Sequence, residues 1–286
     1  MSAILEVDNL RKEYRDFNLN VSFSLERGYL MGFIGPNGAG KSTTIKLIMN
    51  LLKKDSGAIK VFGLDNVKNE IEIKQRIGFV YDQNYYYDEL TVEEMKGIIS
   101  RFYADWDDEL YRSYLKIFDL DPRKKIKELS KGMQMKFSLI MALSHHAELI
   151  IMDEPTSGLD PIVRRELLQI LSEILQNENK GILLSTHITS DLDKIADYIT
   201  FINQGRIVES TTRDFLLENY GVVRGKKELL MQTDKGLLIG VKENEFGFEA
   251  LVKDKARARE IFGDKIIIDK PTLEDIMYYQ IDGKVV

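Results

Sequence analysis

Nine consecutive residues, Gly35-Pro36-Asn37-Gly38-Ala39-Gly40-Lys41-Ser42-Thr43, have types and spacing suited to holding a chain of phosphates. Glycines let successive backbone N–H groups converge on phosphate oxygens with no Cβ in the way. A helix starting at Lys41 would aim its positive end at the same anion. Lys41 supplies positive charge for the β- and γ-phosphates, and the Ser42 hydroxyl offers a coordination place to Mg²⁺. The pattern G-x-x-x-x-G-K-[ST] carries this meaning only between a strand and a helix; elsewhere it is a glycine-rich turn that binds nothing.

A second group is Leu149-Ile-Ile-Met-Asp153-Glu154. A strand through the core would deliver Asp153 at its end, where the carboxylate can hold the Mg²⁺ water shell. Glu154, next in the chain, can accept a proton from an attacking water. Two acids at the end of a lone strand are more often a solvated strand end, so this reading depends on the phosphate loop.

The elements that must position these groups follow from periodicity. Alternation in ILEVDNL and LNVSFSLERG predicts two opening strands, and Tyr29 to Ile34 reads as a buried third that runs into the glycines. From Lys41, Ile45, Ile48, Met49 and Leu52 recur at helical spacing, so the unit is strand, loop, helix. Strands follow at Ala58 to Phe62 and Ile77 to Tyr81. The stretch 88–146 is helical in pattern and contains a single proline, Pro122. Leu149 to Met152, Gly181 to Thr186 and Tyr198 to Ile202 are strands separated by helix-like segments, which predicts a parallel sheet. After about Phe215 the pattern changes. Strands are expected at Glu228 to Gln232, Gly236 to Val241 and Gly247 to Val252, then a helix at Lys255 to Phe262, a strand at Lys265 to Ile268 and a helix opened by Pro271.

The resulting expectation is an α/β chain with a P-loop NTPase fold. Its central sheet is mainly parallel, with antiparallel strands at the N-terminus and a helical insertion. An ATPase unit over 1–214 contains that insertion at about 88–146, and 215–286 forms a small α+β accessory or dimerisation unit. Composition agrees with a globular chain: 286 residues, 44% hydrophobic, 30% charged. Without cysteine there is no disulfide, thiolate metal site or thiol nucleophile, and three histidines make a His-rich zinc site a poor candidate. A net charge of −6 supplies no basic field for a nucleic-acid backbone, so no nucleic-acid partner is expected. No stretch approaches ~18 uninterrupted apolar residues, which places the chain in the cytoplasm and any membrane role with a partner.

Three further motifs join the first two in fixed order: Leu129-Ser130-Lys131-Gly132-Met133-Gln134, Ser157-Gly158-Leu159-Asp160, and His187 after the strand LLST. From Leu5 to Ile207 the chain resembles the ATP-binding subunit of ABC transporters, and its tail, with Pro271 to Met277, is similar to that of the ABC-2-type exporter branch. The resemblance implies a dimer of two such subunits, identical or similar, with two ATP molecules sandwiched head to tail. In it Ser130 and Gly132 of one chain face the phosphates held by Lys41 of the other. His187 hydrogen-bonds the γ-phosphate and positions water beside Glu154, Asp160 connects the two sites, and Tyr14 stacks on adenine. ATP and Mg²⁺ are the implied cofactors, and a membrane-spanning permease subunit is the implied partner, holding this chain peripherally on the inner face of the membrane.

The sequence departs from the family at two places. LSKGM stands where LSGGQ is usual, so Lys131 either points to solvent or adds a cation near the γ-phosphate. In the loop that carries a Mg²⁺-sensing glutamine, Asp82 aligns from both flanks and Gln83 lies one beyond it; either could be the metal contact. Tyr85, Tyr86 and Tyr87 follow, and three consecutive tyrosines cannot all face a core. The reading is an ATPase that powers export through a partner. The alternatives are a soluble ABC ATPase acting on nucleic acid or ribosomes, and a P-loop kinase, for which LSKGM and SGLD would be accidental.

Overall fold

The computed structural model describes residues 3–81, 85–232 and 236–282. It opens with β1 (Ala3–Glu13), β2 (Asn18–Glu26) and β3 (Leu30–Ile34), then α1 (Lys41–Ile48), β4 (Ser56–Val61), β5 (Leu64–Asp65), α2 (Glu70–Gln75) and β6 (Ile77–Val80). The helical insertion holds α3 (Val92–Ile99), α4 (Asp108–Ile117) and α5 (Lys131–Leu143). Next come β7 (Leu149–Asp153), α6 (Pro161–Ile174), β8 (Gly181–Thr186), α7 (Thr189–Ile195), β9 (Tyr198–Asn203) and β10 (Arg206–Thr212). The tail contains α8 (Arg213–Asn219), β11 (Gly221–Gly225), β12 (Leu238–Asn244), β13 (Gly247–Val252), α9 (Lys255–Phe262), β14 (Ile266–Asp269) and α10 (Leu273–Asp282).

Ten strands form one mixed sheet in the order β5-β4-β1-β2-β10-β9-β3-β8-β7-β6. The run from β9 through β6 is parallel throughout, as the strand–helix alternation predicts. β1 pairs antiparallel with both β2 and β4, which gives the expected N-terminal antiparallel section. β3, β7 and β8 are buried along their whole length, because helices or further strands cover both faces. Being parallel, they deliver the residues that follow them to one edge of the sheet, where such folds bind ligands. A capping box at Thr91 and Glu94 starts α3, and Asp107 caps α4.

The tail departs from the periodicity reading at its start. Glu228 to Gln232 lies in a 3₁₀ helix, Lys227–Gln232, and not in a strand. The strand that takes its place is β11, central in the four-stranded antiparallel order β12-β13-β11-β14. Its Val222 joins the large core shared with the first sheet while Val223 enters the tail's own core, so both of its faces are apolar and it lacks the alternation that marks half-buried strands. β10, also unanticipated, is a largely half-exposed hairpin partner of β9. The tail is not packed by itself. Leu273, Ile276 and Tyr279 of α10 share one buried cluster with Leu192 and Ala196.

Candidate functional site

The phosphate loop begins where β3 ends. At Gly35 an added Cβ would lie 2.2 Å from the Ile202 carbonyl oxygen, so no side chain fits between the loop and β9. Gly40, the residue before α1, has φ +114°, a conformation that L side chains rarely adopt. Lys41 is 6% exposed and folds back over the loop, donating to the carbonyls of Gly35 at 2.8 Å and Pro36 at 3.3 Å. Ser42 and Thr43 are half-buried on the first turn of α1, while Asn37 and Gly38 are exposed at the loop's tip.

The two acids take different environments. Asp153, buried at the end of β7, accepts from the Ser185 hydroxyl on β8 at 2.9 Å. Glu154 turns out of the strand with φ +51°, the left-handed region that side chains other than Gly and Asn visit rarely and at a cost of ~1–3 kcal/mol. Its N–H donates to the Ser185 carbonyl at 2.9 Å, which holds that turn. The turn places one carboxylate oxygen 2.7 Å from His187 Nδ1 and the other 3.3 Å from Lys41 Nζ. Lys41, Glu154 and His187, from three separate chain segments, thus meet at the edge of the parallel strands. An acid braced against a histidine and a lysine beside a phosphate-binding loop can accept a proton from water.

Leu129–Gln134 and the segment after Glu154 lead into the neighbouring helices α5 and α6. The Ser130 hydroxyl accepts from Met133 N–H at 3.3 Å and caps α5, as its position predicts. Gly132 has a packing role that the sequence hid: a Cβ there would lie 2.9 Å from Val163 Cγ1, so the glycine lets α5 approach α6. Lys131 is exposed, and its ammonium lies over Gly158, 2.7 Å from where a Cβ would stand. Asp160 caps α6, accepting from the N–H groups of Ile162 at 3.0 Å and Val163 at 3.1 Å. Sequence reading missed Arg164. Its guanidinium donates to buried Asp191 at 2.5 Å and to the Ser190 hydroxyl at 2.9 Å, tying the first turn of α6 to the helix that follows His187. The available signal was spacing, since Arg164 and Asp191 each lie one helical turn past a motif residue; periodicity cannot show that the two turns touch.

Tyr14 is 43% exposed in the β1–β2 turn, where its N–H donates to the Phe17 carbonyl at 2.8 Å and Lys12 Nζ sits 5.7 Å from its ring. Phe17 and Arg206, which sequence reading did not single out, line a cleft of about 860 Å³ with Asn37 and Gly38. Asp82 and Gln83 lie outside the described residues. Of the three tyrosines, Tyr86 packs on Phe137 with ring centroids 4.9 Å apart, and burial pushes its phenol up to about 12. Tyr85 and Tyr87 are exposed, so the run divides between core and surface.

The ABC transporter family profile matches residues 19–157. The bacitracin transport ATP-binding protein BcrA of Bacillus licheniformis is 32% identical over 251 residues, 86% of this chain and 80% of that one. The chain belongs to the ABC transporter ATP-binding family. The lantibiotic transport ATP-binding protein SrtF of Streptococcus pyogenes is 32% identical over 209 residues, covering 72% of this chain and 89% of that one. A solved ATP-binding subunit of an ABC transporter superposes with TM-score 0.69 at 31% identity, over 75% of this chain and 92% of that one. This ABC subunit therefore has the P-loop fold that its motifs predicted, binds ATP, and is an ATPase that powers transport.

Proposed function

We propose that this ABC ATPase drives export through a separate membrane-spanning permease, working as a dimer with an identical or similar subunit. The meeting of Lys41, Glu154 and His187 beside the phosphate loop supports the chemistry best. In this reading Lys41 neutralises the β- and γ-phosphates, Glu154 takes the proton of the attacking water, and His187 orients that water and the γ-phosphate. Ser130 and the N-terminus of α5 would face the partner's nucleotide, with Lys131 beside them, and Asp160 would lie at the junction. Tyr14 and Phe17 would flank the base.

The donor set fits Mg²⁺. The Ser42 hydroxyl and the buried Asp153 carboxylate are hard oxygen ligands. Among the described residues no group of three or more His, Cys, Asp or Glu could hold a metal by itself. Mg²⁺ would supply charge for the leaving and transferred phosphates, and Asp82 or Gln83 would complete the set.

No described helix is long and apolar enough to cross a membrane. A place on the inner face of the membrane would then come from the permease, for which exposed Tyr85 and Tyr87 offer an interfacial surface. Relatives named for bacitracin transport and linearmycin resistance favour outward movement of cargo. Residues 215–286 would act in assembly. The test is purification of the tagged chain from detergent-solubilised membranes of its own host. A multi-span protein should accompany it in fixed proportion; recovery with ribosomes or nucleic acid and no membrane protein would favour the soluble alternative.

A further inference from the structure

We infer that Arg206, on the tight turn between β9 and β10, binds the base-and-ribose end of the nucleotide whose phosphates Lys41 holds. The strand order sets the direction of the ligand. Glu154 follows β7 and His187 follows β8, so the γ-phosphate end lies on the β8 side of β3. A nucleotide gripped by the loop after β3 then extends its base the other way, towards β9, β10 and β2. β9 runs parallel to β3 and ends at the same edge, so its turn into β10 stands beside the phosphate loop. β2 pairs parallel with β10 and starts at that edge too, which brings up the turn that carries Tyr14 and Phe17.

Backbone bonding fixes the β9–β10 turn in place. Asn203 pairs with Arg206, which leaves Gln204 at φ +47° and Gly205 at φ +73° as the central residues. Two positive φ values are what a two-residue hairpin of this hand requires. The Gly205 N–H donates to the Ala39 carbonyl of the phosphate loop at 2.9 Å, and the Gly205 carbonyl accepts from Asn20 N–H at 2.7 Å. A Cβ on Gly205 would lie 2.1 Å from the Asn18 carbonyl oxygen, so the turn is wedged between the phosphate loop and β2. The backbone that carries Arg206 therefore keeps a set distance from the phosphate loop.

Arg206 is exposed at the start of β10 and lines the cleft of about 860 Å³ with Phe17 and Asp16. That volume lies within the ~300–1,000 Å³ of small-molecule sites. Among the described residues the guanidinium makes no hydrogen bond or ion pair, and Asp16 does not reach it across the cleft. A nucleoside suits such a pair of separated charges. Its ring nitrogens accept from the five N–H donors of a guanidinium, and its ribose hydroxyls donate to a carboxylate. The assignment deepens, and rests on, the reading of Lys41 as the phosphate anchor and of Tyr14 and Phe17 as flanking the base.

The test compares Mg-ATP with inorganic tripolyphosphate, which carries the phosphates without base or ribose, by calorimetry on the full-length chain. Arg206→Met removes a side chain that holds nothing else, so the fold should stand. It should raise the dissociation constant for Mg-ATP about fivefold, the loss of one partly exposed charge-assisted contact, and leave that for tripolyphosphate as in the parent. Arg206→Lys, which keeps the charge and loses the fork, should fall between. In turnover the loss should appear in KM for ATP and not in kcat. Equal weakening of both ligands would assign Arg206 to the phosphates, and unchanged ATP affinity would leave it a solvated arginine; either result overturns the proposal. Lys41→Ala should weaken both ligands. If it weakens neither, the reading of the phosphate anchor fails as well; if it weakens both while Arg206→Met weakens neither, only the role of Arg206 is lost.

Discussion

Polar groups are used differently in the nucleotide site and in the tail. At the edge of the parallel strands, Lys41, Asp153, Glu154 and His187 stand at the ends of elements, on turns, and one of them adopts φ +51°. In the tail, Arg224, Glu249, Asp269 and Tyr279 stand within strands and a helix and satisfy one another, with the Tyr279 hydroxyl donating to the carboxylate that also accepts from Arg224. That shared carboxylate is held below the usual range, chiefly by the Tyr279 hydroxyl and then by Arg224. Groups on turns can reach a ligand and change partners during a reaction, whereas groups embedded in a sheet are committed to holding it. Here the converging set is open to a ligand, and the closed set is spent on holding its sheet.

Substitutions should divide along this line. The largest effect is expected from Glu154→Gln, which keeps the shape and loses the base. Hydrolysis should fall by ~10²–10⁴-fold while Mg-ATP binds nearly as before, read by single-turnover kinetics and calorimetry. Turnover near that of the parent would remove Glu154 from the chemistry.

Arg164→Met comes next. It leaves the buried Asp191 carboxylate without its cation, and should lower stability by about 2 kcal/mol in urea unfolding, less than for a fully buried pair because Arg164 is partly exposed. Since α6 and α7 carry Asp160 and follow His187, turnover should also fall with ATP affinity unchanged. Unaltered turnover would make the pair purely a packing device.

Gly132→Ala should cost about 1–3 kcal/mol by pressing on Val163, and Val163→Ala in the same chain should recover part of that cost. No recovery would mean that the close approach of α5 to α6 is not the reason for glycine.

The smallest effect belongs to the tail. Tyr279→Phe should cost ~1 kcal/mol of stability and leave kcat and KM for ATP unchanged. An altered KM would show that the tail's polar set reaches the nucleotide site.

The phosphate site was legible in the sequence because chemistry fixes residue identity there. A backbone passing 2.2 Å from where a Cβ would stand demands Gly35, and a carboxylate at the end of an all-apolar strand announces Asp153. The parallel strands were legible for a similar reason, as short apolar runs bounded by turns. Relations across the fold were not. Nothing local says that Gly132 faces Val163 or that Arg164 reaches Asp191. The 3₁₀ helix at Lys227–Gln232 replaced an expected strand because Glu228-Leu-Leu-Met-Gln carries no alternation to decide between them, and Val222-Val223 hid a strand buried on both faces.

The central claim is that this chain hydrolyses ATP at the site that Lys41, Glu154 and His187 build. The most direct test is steady-state phosphate release by purified chain given Mg-ATP and no acceptor, before and after Lys41→Ala. The account predicts continuous release from the parent, and its loss together with weakened ATP binding in the variant. Release that requires an added acceptor, or that persists at the parental rate without the lysine, would contradict it.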